Sequence, residues 1–133
     1  MEAKVESRGR RNKRGLALDV RPSTQFDRIL IDAPCSNTGV MRRRVDLRWR
    51  IREQEIARLR TIQIQLLRDA MPRLKPGGTL VYSTCSLEPE ENSAAVREFL
   101  EENPSMRLDH ERSLMPWENN VDGAYVARFV RGS

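Results

Sequence analysis

Histidine occurs once in this sequence, cysteine twice, and aromatic residues make up only 5% of it. A lone His110 and two cysteines do not assemble a structural zinc set, so a metal centre is not expected. No run comes near the roughly 20 consecutive apolar residues that cross a bilayer, which argues against a membrane partner. Two cysteines without a signal-like apolar segment point to a reducing, cytoplasmic setting, where a thiol is buried, ligating or reactive more often than bridged. A regulatory disulfide stays open as an alternative.

What is present is a chain of 133 residues, the size of one ordinary domain. Lysine and arginine outnumber aspartate and glutamate 24 to 19, a formal charge of +5. That balance favours a polyanionic partner, although a solvated surface carries a modest basic excess as well. Residues 1–15 hold no apolar periodicity and concentrate Lys4, Arg8, Arg10, Arg11, Lys13 and Arg14. They are expected to form a flexible basic arm.

The rest of the chain alternates strand and helix signals. LALDV, Leu16 to Val20, is a short candidate strand, and the near-continuous apolar run FDRILI from Phe26 suits a strand covered on both faces. A helical pattern starts near Glu53 and sets Ile56, Leu59, Gln63, Leu66, Leu67, Ala70 and Leu74 on one face; Pro72 weakens its last turn. LKPGG stops that helix, and TLVYS follows as a strand. EPEENSAAVREFLEE predicts a second helix, with Pro89 and acidic residues in its first turn and Asn103 and Pro104 at its end. AYVARFV closes the chain with the alternation of an antiparallel strand at or near a sheet edge.

This order predicts a layered α/β domain with a largely parallel sheet, whose site lies beyond the carboxyl ends of the strands. Cys35 follows the first clear strand and Cys85 the next, so the two thiols should converge on one cleft. A lone cysteine is usually a small core residue. Here Pro34 fixes the loop before Cys35, and Ser36, Asn37, Thr38 and Gly39 add polar groups and a turn. Cys85 stands between Thr84 and Ser86, ahead of a helix whose amino terminus would favour a thiolate.

DAPCS at Asp32 to Ser36, LKPGGTLVYSTCSLEPEEN at Leu74 to Asn92 and the DG of Asp122 and Gly123 resemble the RNA cytosine-5 methyltransferases of the Fmu/Sun family. The resemblance runs from about Leu18 to Val130 and implies a partial Rossmann-like fold of the class I S-adenosylmethionine-dependent methyltransferases, its last strand antiparallel. Cytosine carbon 5 is a poor nucleophile until a group adds at carbon 6, and a thiolate both adds and leaves readily. By resemblance, Cys85 is that nucleophile and Cys35 assists product release, as a base in the elimination. The DNA cytosine-5 enzymes, whose nucleophile is the cysteine of a Pro-Cys motif, would reverse the two roles. Asp32 would bind the cytosine edge beside the methyl donor, and Asp19 the adenosine part of S-adenosyl-L-methionine.

The resemblance also implies an RNA substrate, ribosomal in the nearest relatives. Arg42, Arg43, Arg44, Arg48 and Arg50 surround Trp49, a mix of cations and one stacking surface suited to RNA. The family's usual histidine and proline in this loop give way to RRVD, Asn37 takes the place of a glycine after DAPCS, and AYVARF replaces paired aromatics after DG, with Tyr125 keeping part of their role. The Asn37 exchange is tolerable where the backbone is not strongly left-handed. Residues 16–133 are expected to be the carboxyl-terminal portion of a catalytic domain, without its first strands and glycine-rich cofactor loop. The chain alone is then expected to be inactive, with an exposed sheet edge open to the missing half or to self-association. A non-enzymatic RNA-binding module derived from the fold is the alternative.

Overall fold

The computed structural model describes residues 24–133. The basic arm of residues 1–15, the strand expected at LALDV and Asp19 lie outside the described residues. Four strands and two long helices follow in the order β1 (Phe26–Asp32), α1 (Glu53–Ala70), β2 (Leu74–Thr84), α2 (Ser93–Glu102), β3 (Met106–Leu114) and β4 (Ala124–Arg131). They form one sheet of order β1-β2-β4-β3. β1 and β2 are parallel, and β4 runs antiparallel to both of its neighbours. Three strands therefore share a direction and the last opposes them, as expected.

Period-two alternation decides which side of the sheet is covered. Ile29 and Ile31 of β1, Leu80 and Tyr82 of β2, and Ala127 and Phe129 of β4 form one core with Leu67 of α1 and Val96 and Phe99 of α2. Phe99 meets Phe129 edge to face, with ring centroids 5.3 Å apart, the arrangement favoured by aromatic quadrupoles. Leu30, Val81, Val126 and Val130, on the opposite parity, are half-buried.

Several expectations need correction. The strand MRLDHERSL was not anticipated, because its interior residues are mostly charged and exposed. It places β4 one strand in from the β3 edge. The strand expected at TLVYS begins earlier, at Leu74. Phe26 pairs with Leu74 but Arg28 with Thr79, so Lys75–Gly78 bulges out of the ladder, helped by Gly77 at φ 75°. The second helix begins at Ser93, after a turn at 89–92 that takes up Pro89, Glu90 and Glu91, and no acidic residue occupies its first turn. α1 ends at Ala70, and Met71–Arg73 continues as a 3-10 turn at Pro72, where the missing N–H ends the ladder.

Candidate active site

Strand register brings the two cysteines together. Asp32 pairs with Ser83 across the parallel β1–β2 ladder, and the Ala33 N–H extends it by donating to the Ser83 carbonyl at 2.9 Å. Cys35, three residues past Asp32, and Cys85, two past Ser83, therefore leave the sheet side by side. Their sulfurs are 3.3 Å apart. Cys35 is buried at 4% exposure, while Cys85 is half-buried and faces outward.

The pair divides one proton unequally. The hydrogen bond from Cys35 holds the Cys85 thiol down at about 7, against its own burial and the nearby carboxylates of Asp32 and Glu91. The same bond, with burial, pushes Cys35 far above the ordinary thiol range. Cys85 thus ionises first while Cys35 keeps its proton and donates. The neighbouring thiol is the largest cause of this shift.

A buried carboxylate ties the two cysteine loops together. Glu91, fully buried, accepts from the Ser36 N–H at 2.8 Å, the Ser36 hydroxyl at 2.6 Å, the Ser86 hydroxyl and, at 3.1 Å, the Gln63 amide. Gln63 of α1 also donates to the Pro34 carbonyl at 2.8 Å. Four donors offset the cost of burying the charge. The sequence reading missed Glu91 as a site residue and took Gln63 only as part of a helix face. The available signal was a lone amide in an otherwise apolar stripe.

Asn37 adopts φ 60°, ψ 25°, left-handed backbone that favours glycine and, among other residues, asparagine. The backbone here is thus left-handed, contrary to the condition set for this exchange. Its amide oxygen accepts from Cys85 Sγ at 2.7 Å and from Cys35 Sγ at 3.5 Å. Gly39 N–H donates to the Cys85 carbonyl and Gly123 N–H to the Gly39 carbonyl, both at 2.8 Å, which stacks the two motif loops and the DG segment.

A groove of about 360 Å³ opens beside Cys85, lined among others by Asp32, Ser83, Arg112, Tyr125 and Val126. Tyr125 is buried, and its hydroxyl has no hydrogen-bond partner among the described residues. Asp32 is exposed. In the arginine loop, Arg48 and Trp49 lie on a 3-10 turn, Val45–Trp49, flanked by Arg44 and Arg50, and Trp49 is 84% exposed. Its cations are partly engaged: Arg42 and Arg43 reach Asp122 at 2.8 and 3.0 Å, and Arg44 and Arg50 reach Asp46 at 3.5 and 3.8 Å. Arg48 has no ion-pair partner among the described residues.

A family model described as 16S rRNA methyltransferase RsmB/F matches residues 9–130. The chain belongs to this family. Ribosomal RNA small subunit methyltransferase B of Salmonella arizonae is 52% identical over 114 residues, 80% of this chain and 27% of that protein. The protein of the same name from Cronobacter sakazakii is 45% identical over 115 residues, 81% of this chain and again 27% of its own length. The chain thus spans 27% of the length of these curated relatives. Among solved structures, NSun6 from Pyrococcus horikoshii with SFG matches with a TM-score of 0.72 and 28% identity, over 83% of this chain and 31% of that one. A putative SAM-dependent methyltransferase from Streptococcus mutans, 11% identical with a TM-score of 0.50 over 80% of this chain and 26% of its own, shares the Rossmann-like fold. Among the described residues, no helix is long and apolar enough to cross a membrane.

Proposed function

We propose that this chain carries the nucleophile-bearing part of an S-adenosylmethionine-dependent RNA cytosine-5 methyltransferase that acts on ribosomal RNA in the cytoplasm. The observation that carries the reading is the pair of sulfurs 3.3 Å apart, one of them on a groove shared with Asp32. Cys85, held ionised by Cys35, adds through its thiolate to carbon 6 of cytosine, and the displaced π pair makes carbon 5 nucleophilic. Asp32 accepts a hydrogen bond from the amino group on the cytosine edge and so orients the ring over Cys85. S-adenosylmethionine, when bound, supplies the electrophilic methyl group. Once Cys85 is bonded to the ring it no longer holds Cys35 protonated, and Cys35, as a thiolate 3.3 Å away, takes the carbon 5 proton; the ring double bond re-forms and Cys85 leaves as its thiolate.

The exposed Asp32 carboxylate suits the positive charge of a sulfonium, so the residues of this groove fit the methyl-bearing end of the cofactor. Asp19 is assigned its adenosine end. The arginine loop and Trp49 contact RNA through phosphate and stacking. Grafting residues 24–130 into the full-length Salmonella arizonae relative, in place of its matching segment, tests the function. 5-Methylcytosine mapped by bisulfite conversion, and absent from the Cys85→Ser graft, is the expected result. Methylation at another atom, or its persistence in Cys85→Ser, overturns the reading.

A further inference from the structure

The geometry points to Asn37 as a positioning residue for Cys85: its carboxamide fixes the sulfur beside the groove, accepting from the thiol and, turned over, donating an N–H to the thiolate. The inference rests on Cys85 being the nucleophile. Asn37 stands on the loop after β1, and its left-handed backbone carries the amide to both sulfurs, at 2.7 and 3.5 Å. A carboxamide presents an acceptor and two donors from one planar group. An oxygen facing a thiolate at the shorter of those distances is repelled, so ionisation of Cys85 turns the amide and exchanges acceptor for donor. Ser or Thr at this place would offer both functions from a shorter side chain, and glycine would offer neither.

The charged and titratable groups around Cys85 make such a partner useful. Asp32 of β1 and Glu91 before α2 both disfavour its thiolate. Cys35, on the same loop as Asn37, donates to it, and Arg112 of β3 and Tyr125 of β4 line the groove it faces. Cys35 supplies one hydrogen bond, and the Asn37 amide supplies a second. Two donors fix the direction of the sulfur lone pair that attacks, which one donor does not.

The test is the pH dependence of Cys85 alkylation by iodoacetamide, followed by peptide mass mapping, with the melting temperature recorded alongside. Asn37→Gly suits φ 60° and removes the amide. The alkylation midpoint of Cys85 is expected to move up by about one pH unit, making the reaction roughly fivefold slower at pH 7. Asn37→Asp keeps the size, cannot donate and adds a like charge, so its midpoint is expected to rise further. An unchanged midpoint in a folded Asn37→Gly overturns the inference; where that variant does not fold, an unchanged midpoint in Asn37→Asp does so. Because iodoacetamide needs neither RNA nor methyl donor, this outcome is separate from failure of the functional reading, which shows as methylation at another atom.

Discussion

Gly39 and Gly123 touch through their backbones: a methyl group on Gly39 would stand 2.4 Å from the Gly123 carbonyl oxygen and 2.6 Å from that of Cys85. Both obstacles are main chain, so neither swings away. Gly39→Ala is expected to cost about 1–3 kcal/mol as overpacking, read as a lowered urea midpoint. The strain falls on the loop holding Cys85, so alkylation of that thiol should change as well. A variant as stable as the parent would mean that the two loops are not in contact.

Glu91 should be among the most sensitive positions in the described chain. Glu91→Ala strands the Ser36 N–H, two hydroxyls and the Gln63 amide, at an expected cost of about 3 kcal/mol or more. Glu91→Gln keeps the shape but turns one acceptor into a donor facing donors, for about 1–3 kcal/mol. Chemical denaturation measures both. Equal stability of parent and Glu91→Ala would remove this carboxylate from the role of linking the cysteine loops.

The thiol pair gives stability a definite pH profile. Cys85 ionises near 7 in the folded protein, below the ordinary thiol value of 9.0. Its contribution is therefore complete above pH 9 and is lost as pH falls through 7. Cys35, held above its ordinary value, contributes below that value and loses the contribution as pH rises. Stability should accordingly climb between pH 7 and 9 and decline beyond. Cys35→Ala removes the donor that depresses Cys85 and should flatten the climb in urea midpoints measured across that range. An unchanged slope would show that the two thiols do not share a proton.

RNA binding is expected to be salt-dependent and poorly selective, because arginine contacts to phosphate release counterions and read no base. Replacing Arg42, Arg43 and Arg44 with alanine should lower both affinity and the salt slope. Asp122→Asn should do the reverse, since it releases Arg42 and Arg43 from their carboxylate. A salt slope that neither change moves would sink the assignment of this loop to RNA.

The legible parts of the fold were those with strong apolar periodicity. β1, α1 and β4 announced themselves, because Ile29, Ile31, Leu59, Leu67 and Phe129 recur at the spacing of a covered face. β3 did not, because Met106 and Leu108 lie before its register shift and Leu114 at its end, with charged residues between. The amino end of α2 was misplaced for a different reason. PEEN reads as a helix start, yet Glu91 turns inward to collect donors from loops 55 and 5 residues away. Convergence of the cysteines followed from strand order, but the proton sharing between them depends on distances no spacing encodes. Nor does local sequence show that Gly123 belongs against Gly39, 84 residues earlier.

The central assignment is that Cys85, not Cys35, forms the bond to cytosine. RNA carrying 5-azacytidine, incubated with the parent, Cys35→Ser and Cys85→Ser grafts in the full-length relative, tests it by denaturing electrophoresis of the RNA-linked protein. The expected result is a covalent adduct with the parent and with Cys35→Ser, and none with Cys85→Ser. An adduct retained in Cys85→Ser and lost in Cys35→Ser would contradict the assignment and exchange the roles of the two thiols.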